Sequence, residues 1–317
     1  MITCVDAFKN LNILIQQGKP AVSPCCISTP APVENLNFDN RYLNSFREAF
    51  SQGHWPSGCF NCKTNEQAGY VSRRIGSNQW YTDHGINNDS VELVRLDYWT
   101  GDTCNLACVI CGPQNSSVWQ QELGIQKSSV VNTLWKQLDL TTLRFVHFNG
   151  GEPLLSKEHV QFLHAVPNKA QVHLNYNTNG TILPTQELLQ LWTEFKLVQL
   201  DFSIDDIGSR FEYQRYPAQW DSVVNNLQWY IDFAPHNCMF AVNTTVGILN
   251  KHNLDKLDQW LVQNFNQSRF TDPIEHRRQN ASGKFSTTSN IVHVRQYLDI
   301  IDRRRNTNWR LVFPELA

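Results

Sequence analysis

From residue 93 onward, β-rich runs alternate with segments of helical period, and this alternation constrains the fold more than any other feature of the 317-residue chain. Apolar runs rich in β-branched residues predict strands, whereas apolar residues spaced three and four apart predict amphipathic helices. The predicted strands cover residues 93–98, 143–148, 171–177, 197–204 and 239–246, with a weaker sixth near Phe270. The predicted helices cover residues 157–165, 186–195, 220–233, 254–265 and 290–302.

Strands that alternate with helices in this way imply a parallel sheet with right-handed crossovers. A complete eight-fold barrel takes about 250 residues. Fewer residues than this remain from residue 91 to residue 317, and only six strands are predicted in that part of the sequence. We therefore predict an α/β fold, with a partial (β/α)6 TIM-like barrel over residues 91–317. Its active site is expected where the C-terminal ends of the strands meet.

Residues 1–90 are rich in Pro, Asn, Ser and Cys and contain few regular apolar runs. The exceptions are a strand-like segment near residues 11–15 and a helix predicted over residues 40–52. A segment with so little core is expected to be held together by something else, such as a bound metal. The composition therefore predicts a small N-terminal domain over residues 1–90, separate from the barrel.

The charges exclude some partners. The chain has 27 basic and 29 acidic residues and a pI of about 6.5, so it has no overall cationic field to gather phosphates. Nucleic acid is therefore not the expected partner. Residues 1–19 lack a basic start followed by an apolar block, and no stretch has the apolar length that crosses a bilayer. These features predict a soluble, cytoplasmic protein that does not associate with membranes.

Nine cysteines are present, and eight of them lie within the first 111 residues, in tight sets. An odd number in a chain of this size, with no sign of export, favours metal ligands over a disulfide framework, which remains the alternative. One set, Cys104, Cys108 and Cys111, follows the first barrel strand with Cys-x3-Cys-x2-Cys spacing. Three thiolates can bind three corners of a four-iron cluster and leave the fourth iron open to a small ligand. A zinc site lacking its fourth ligand, or three buried thiols, are the other interpretations.

The triplet's spacing and strand-end position resemble those of the radical S-adenosylmethionine (SAM) superfamily. The resemblance implies that a [4Fe-4S] cluster on Cys104, Cys108 and Cys111 binds SAM and splits it reductively to a 5′-deoxyadenosyl radical. Ile110 departs from the aromatic residue that often precedes the third cysteine. Further strand ends resemble SAM-binding motifs of the superfamily, and the resemblance assigns cofactor-binding roles to Gly150, Gly151, Glu152, Asn177, Asn179, Ser203 and Asp205, with ordinary polar turn residues as the alternative. Arg215 is a candidate partner for the SAM carboxylate, with a surface arginine as the alternative, and Asn243 is a candidate pocket residue.

A second cysteine set lies in residues 1–90. A Cys-x2-Cys pair, Cys59 and Cys62, together with Cys4 and one of the adjacent Cys25 and Cys26, makes up a four-thiolate site for zinc or for a fully ligated four-iron cluster. The surrounding motifs resemble the auxiliary-cluster module, called twitch or SPASM-like, of many radical SAM enzymes. The resemblance favours an auxiliary [4Fe-4S] cluster with Cys25 as the ligand. The order is unusual, because this module more often follows the barrel.

The resemblance implies an enzyme that abstracts hydrogen from a substrate, and a peptide or protein side chain is the expected substrate because auxiliary-cluster relatives often modify peptides. The alternatives are the same chemistry on a small metabolite or nucleotide, and a metal-binding module without catalysis. The expected partners are SAM and a flavodoxin-like or ferredoxin-like electron donor.

Overall fold

Nine strands form one sheet in the computed structural model of the chain, which describes residues 2–16, 18–34, 36–126, 132–265, 269 and 285–317, and the backbone of 276–280. Along the sheet the strands follow the order β3-β2-β1-β4-β5-β6-β7-β8-β9. Their bounds are β1 Asn10–Gln16, β2 Lys19–Ser23, β3 Ala31–Pro32, β4 Arg95–Trp99, β5 Phe145–Asn149, β6 His173–Thr178, β7 Leu197–Ser203, β8 Cys238–Val246 and β9 His276–Asn280.

Most of the recorded pairings are parallel. β1 pairs with β4, β4 with β5, β7 with β8 and β8 with β9 in parallel, whereas β1–β2 and β2–β3 are antiparallel. Parallel strands need crossover connections, and the helices between the strands supply them. The predicted α/β fold with a mostly parallel sheet is confirmed. That the sheet curves into a partial barrel stays a prediction.

The chain divides into two compact units. Unit 1 comprises Met1–Gly101, Ser128–Asn175 and Glu194–Lys196, and unit 2 comprises Asp102–Lys127, Tyr176–Thr193 and Leu197–Ala317. The helices of unit 1 are α1 Asp6–Lys9, α2 Arg41–Ser51, α3 Phe60–Gln67, α4 Arg73–Asp83 and α6 Lys157–Ala165. The helices of unit 2 are α5 Ser117–Glu122, α7 Gln186–Trp192, α8 Gly208–Gln214, α9 Trp220–Phe233, α10 Leu254–Phe265, α11 Ile291–Arg305 and α12 Trp309–Val312.

The helix bounds follow local sequence signals closely. Helices α6, α9 and α10 begin and end at the predicted residues. The Ser156 hydroxyl accepts the His159 N–H at the start of α6, and the Thr185 hydroxyl accepts the Leu188 N–H at the start of α7. The predicted end of α7 at residue 195 is wrong, because the helix ends at Trp192. Phe195 lies in the loop after the helix, where it is buried. Its apolar side chain continues the helical spacing of the sequence, so the predicted helix was too long.

The first ninety residues contribute strands to the sheet. The predicted strand near residues 11–15 is confirmed as β1, whose Leu11 and Ile13 are fully buried, and β1 pairs in parallel with β4. The helix predicted over residues 40–52 is confirmed as α2, with Asn40 as its N-cap. The domain boundary at residue 90 stays a prediction.

The strand predicted near Phe270 falls outside the described residues. The strand that pairs with β8 in parallel is β9, His276–Asn280. Of the helices within the described ranges, none combines the length and the hydrophobicity that spanning a bilayer requires.

Candidate metal centres

In unit 2, the loop after β4 carries Cys104, Cys108 and Cys111, all as thiols. Cys108 is buried, whereas the other two are half-buried. The Cys111 N–H donates to the Cys108 carbonyl at 3.0 Å. The Ser117 hydroxyl donates to the Cys104 carbonyl at 2.9 Å and accepts the Cys104 N–H at 3.2 Å. These bonds tie the ends of the eight-residue motif to each other and to α5, so that its three thiols belong to one compact loop.

Apolar residues between the cysteines anchor this loop. Ala107 and Val109 are buried in the core of unit 2, in one cluster with Trp119, Leu298 and Trp309. The Ala107 and Val109 N–H groups donate at 2.7 Å each to the carbonyls of Tyr216 and Gln214. The loop is therefore held by packing and by backbone bonds at the positions that carry no thiol.

The three thiols are close enough to influence one another. Burial, partly offset by the Arg215 guanidinium and assisted by Cys111 and Cys104, raises the pKa of the Cys108 thiol to about 12. Burial also raises the pKa of Cys111. Because a bound metal takes thiolates, it must displace these protons, and Arg215 supplies positive charge where the thiolate charge would collect.

Arg215 forms a buried ion pair with Asp205. Its Nη2 lies 2.7 Å from the Asp205 Oδ2, and the two side chains are 9% and 1% exposed. Burial alone would lower the pKa of Arg215, but the Asp205 carboxylate raises it above its usual value. Asp205 is also held by the Thr245 N–H, which donates to its Oδ1 at 2.8 Å. Within the described residues the Arg215 Nε–H has no hydrogen-bond partner, so one donor remains for a ligand.

Asn179, at the end of β6, reaches the cysteine loop. Its Nδ2 donates to the Asn105 Oδ1 at 3.0 Å and lies 4.0 Å from the Cys104 Sγ. Asn105 in turn donates to the Thr181 hydroxyl at 2.8 Å. The Asn-Gly strand end is thus tied to the first cysteine by side-chain amides. Asn177, two residues earlier, lies half-buried on β6.

Ser203, the last residue of β7, is the register partner of Asn243 in the C-terminal half of β8, and both are half-buried. The Asn243 Oδ1 is buried and, in the part of the chain that the structure describes, accepts no hydrogen bond. Buried polar atoms are nearly always paired, so an orphaned acceptor indicates a ligand or an ordered water. This atom is the strongest sign in unit 2 of a polar cofactor next to the sheet.

In unit 1, the turn after β5 carries Gly150, Gly151 and Glu152. Gly150 has a φ of +118°, and a Cβ there would lie 2.6 Å from the Gly101 carbonyl oxygen, so a side chain is excluded. The Gly151 N–H donates to the same oxygen at 2.9 Å. Glu152 is 1% exposed, and its Oε1 accepts the Leu154 N–H at 3.2 Å. The turn therefore holds a buried carboxylate in a fixed position.

Unit 1 also brings the N-terminal cysteines together. Cys4, Cys25 and Cys62 are buried, and Cys59 is half-buried. Burial, followed by Asp6, Cys25 and Cys59, raises the pKa of the Cys4 thiol, and burial with Cys25 and Cys62 raises that of Cys59 to about 12. The four predicted ligands are thus electrostatic neighbours although they span 59 positions of sequence. Cys26 is exposed.

Two arginines face this second thiol group. Burial raises the pKa of Cys59, and the Arg74 guanidinium offsets part of that rise. Arg74 is held by Glu66, with N–O distances of 2.7 and 2.9 Å. Burial and Asp6 raise the pKa of Cys25, and Arg73, which lies 3.2 Å from the Asp97 carboxylate, offsets part of that rise. Sequence reasoning missed both arginines, and also Asn105 at the first loop. The pair Arg73-Arg74 within a cysteine-rich segment is a signal that could have drawn attention to them.

Both donor sets fit iron-sulfur clusters, because each consists of thiols alone and lies beside arginines that offset thiolate charge. Among the described residues, no three His, Cys, Asp or Glu side chains are arranged to hold a single metal ion. A four-iron cluster differs from such a site in that each thiolate binds a different iron.

Curated relatives match part of the chain. GTP 3′,8-cyclase of Clostridium acetobutylicum is 26% identical over 127 residues, which are 40% of this chain and 37% of that protein. The probable GTP 3′,8-cyclase of Methanocella arvoryzae is 24% identical over 160 residues, or 50% of this chain and 48% of that protein. The chain therefore spans less than half the length of these relatives.

Solved structures with similar folds include Streptococcus suis SuiB bound to SAM, with a TM-score of 0.46 and 12% identity over 92% of this chain and 68% of that one. Native anSMEcpe with bound AdoMet has a TM-score of 0.41 and 12% identity over 68% of this chain and 63% of that one. The family model described as the radical SAM superfamily matches residues 100–261, just over half of the chain, and includes the cysteine loop. The chain belongs to the radical SAM superfamily.

Proposed function

We propose that this chain cleaves SAM reductively and uses the resulting 5′-deoxyadenosyl radical to abstract hydrogen from a substrate. The observation that carries the proposal is the compact loop of three thiols, Cys104, Cys108 and Cys111, in a chain of this superfamily. A four-iron cluster bound there supplies an iron open to SAM and the electron that breaks the bond between its sulfur and C5′.

The chain's own residues would bind and orient SAM. The buried Glu152 carboxylate, in a turn that Gly150 and Gly151 allow, is suited to a cationic amino group. In unit 2, the Arg215 Nε–H and the Asn243 Oδ1 have no hydrogen-bond partner among the residues that the structure describes. The first is suited to a carboxylate and the second to a hydroxyl donor of the ribose. Ser203, Asp205, Asn177 and Asn179 complete the proposed set, with Asp205 acting through Arg215.

For the substrate we propose a nucleotide or a similar small metabolite as the class to test first. The support is that the matched relatives carry the name GTP 3′,8-cyclase, at 24% and 26% identity. The peptide or protein side chain expected from the auxiliary-cluster resemblance is the second candidate, and the four clustered N-terminal thiols favour it. The two differ in what carries the abstracted hydrogen.

The decisive experiment uses anaerobically reconstituted, reduced protein with SAM and either GTP or a peptide mixture, in deuterium-labelled form. We expect 5′-deoxyadenosine to form, and deuterium to enter it from the true substrate class. Label from GTP alone supports the nucleotide, whereas label from peptides alone overturns it. If no 5′-deoxyadenosine forms under any condition, the chain is a metal-binding module and the enzymatic proposal fails.

We also propose that Cys4, Cys25, Cys59 and Cys62 hold an auxiliary [4Fe-4S] cluster, with zinc as the rival occupant. The burial of Cys25 and the exposure of Cys26 support Cys25 as the ligand. Because all four positions would be filled by protein thiolates, this cluster would carry electrons without binding substrate. A flavodoxin-like or ferredoxin-like protein is the proposed electron donor to the enzyme.

Cys59→Ala should remove about four irons per chain, leave SAM cleavage at least partly intact and impair product formation. Cys26→Ala is the matched control, because its thiol is adjacent to the site but exposed, and it should keep all of its iron. Iron and zinc analysis with product quantification checks both variants. Unchanged iron in Cys59→Ala, or normal product after its loss, would contradict an active role for the second cluster.

A further inference from the structure

Arg305, the last residue of α11, is buried where its neighbours are not. Arg303 and Arg304 are exposed, whereas the Arg305 side chain is 3% exposed. Its guanidinium lies 4.7 Å from the ring centres of both Trp119 and Tyr216. A buried guanidinium between two aromatic rings is costly to desolvate unless it meets specific partners.

Those partners are in the cysteine loop and the helix that follows it. The Arg305 Nη2 donates to the Ala107 carbonyl at 2.8 Å, and the guanidinium pairs with the Glu122 carboxylate at 3.1 Å. Ala107 lies between Cys104 and Cys108. A residue 198 positions away in sequence thus forms a hydrogen bond with the middle of the cysteine motif.

The hydrogen bond from Arg305 to the Ala107 carbonyl determines where the Cys108 N–H points. The peptide unit between Ala107 and Cys108 is planar and trans, so its N–H is opposed to its carbonyl. Arg305 holds the Ala107 carbonyl against the core, and the Cys108 N–H therefore points away from Arg305. Within the described residues this N–H donates to no acceptor, although the neighbouring Ala107 and Val109 N–H groups are both paired.

We propose that Arg305 is a positioning residue that aims the Cys108 N–H at a sulfur atom of the cluster held by Cys104, Cys108 and Cys111. This inference rests on the proposed function, because it needs that cluster. Hydrogen bonds to the sulfurs and nearby positive charge both raise the reduction potential of an iron-sulfur cluster. Arg305 accordingly makes the cluster easier to reduce, which eases the step that precedes SAM cleavage.

The test compares Arg305→Met with Arg304→Met. Both substitutions remove one positive charge, and the methionine at position 305 keeps an apolar stem beside the rings, but Arg304 is exposed. We expect the ratio of reduced to oxidised cluster at a fixed potential to fall about tenfold in Arg305→Met, or about 59 mV for one electron. Arg304→Met should leave it unchanged. Redox titration followed by electron paramagnetic resonance measures this directly.

Arg305→Met also leaves the Glu122 carboxylate without its ion-pair partner, and this negative charge would itself lower the potential. A second variant separates that effect from the loss of the Cys108 N–H hydrogen bond. The double variant Glu122→Gln with Arg305→Met lacks that negative charge. A potential that stays low in it supports the role of the Cys108 N–H hydrogen bond, whereas full recovery of the potential overturns the proposal. Arg305→Lys, which can still donate to the Ala107 carbonyl, should come closer to the parent protein than Arg305→Met.

The exchangeable proton supplies a signature that a purely structural role would not move. In the reduced parent protein, electron-nuclear double resonance after transfer to D2O should lose a proton coupling to the cluster, and Arg305→Met should lack that coupling from the start. Equal couplings in both proteins overturn the inference. If the parent protein binds no cluster on these cysteines, the proposed function fails first, and the two failures are therefore distinguishable.

Discussion

We expect Cys104→Ala to abolish the proposed reductive cleavage of SAM. Two thiolates cannot retain a cluster that needs three. Removing a residue that only hydrogen-bonds to a metal ligand already lowers metal affinity or activity about 10–100-fold, so we expect the loss of a direct ligand to lower SAM cleavage by more than about a hundredfold. The fold should survive, because Cys104 is half-buried and its hydrogen bonds to Ser117 run through the backbone. The measurement is 5′-deoxyadenosine formed per protein chain after the same anaerobic reconstitution and reduction of both proteins.

Cys238→Ala is the matched control for this substitution. Cys238 is a fully buried thiol on β8, and burial raises its pKa to about 12, which makes it an inert core residue. This variant should keep its iron and its SAM cleavage, although it has lost a cysteine like the first. Cleavage that persists in Cys104→Ala would show that the loop does not bind the reactive cluster.

Arg215→Met should produce the largest loss of folding stability. Arg215 and Asp205 are both buried, and removing one member of a buried ion pair leaves an uncompensated charge that costs about 3–5 kcal/mol. Denaturant unfolding of the cluster-free protein measures this cost. SAM affinity of the loaded protein measures separately whether the spare donor of Arg215 binds the cofactor.

The exposed pair Arg310 and Asp299 is a control at the same separation, since its atoms are also 2.7 Å apart. Because water screens that pair, Arg310→Met should change the unfolding midpoint little or not at all. In Asp205→Asn with Arg215→Met the stranded charge is gone, so part of the lost stability should return. Equal costs for Arg215→Met and Arg310→Met would show that burial does not govern the Arg215 pair.

The elements of the fold were largely predictable because their signals are local. The bounds of α6, α9 and α10 follow from apolar spacing over three turns and from caps such as Ser156. The misplaced end of α7 has the opposite cause, because Phe195 is buried by tertiary contacts outside the helix. Helix α11 runs three residues beyond its predicted end at 302, to Arg305, and Asn306 in the left-handed conformation ends it.

The two cysteine sets differ in the same way, because one is defined by local spacing and the other by tertiary contacts. The spacing of Cys104, Cys108 and Cys111 was sufficient to predict one compact loop, which the structure contains. That Cys4, Cys25 and Cys59 are mutual neighbours was an inference from resemblance, and electrostatic coupling in unit 1 supports it. No spacing rule joins them, because they lie on separate turns and helices.

By itself, the amino-acid sequence determined the α/β alternation, the helix caps and the three-thiol loop, because each depends on residues within a few positions of one another. Only the tertiary structure decided that Asp205 neutralises Arg215, that no described residue donates to the Asn243 oxygen, and that Arg305 reaches the Ala107 carbonyl. Burial makes those contacts strong by removing water, and which distant side chains become buried together is a property of the packed chain.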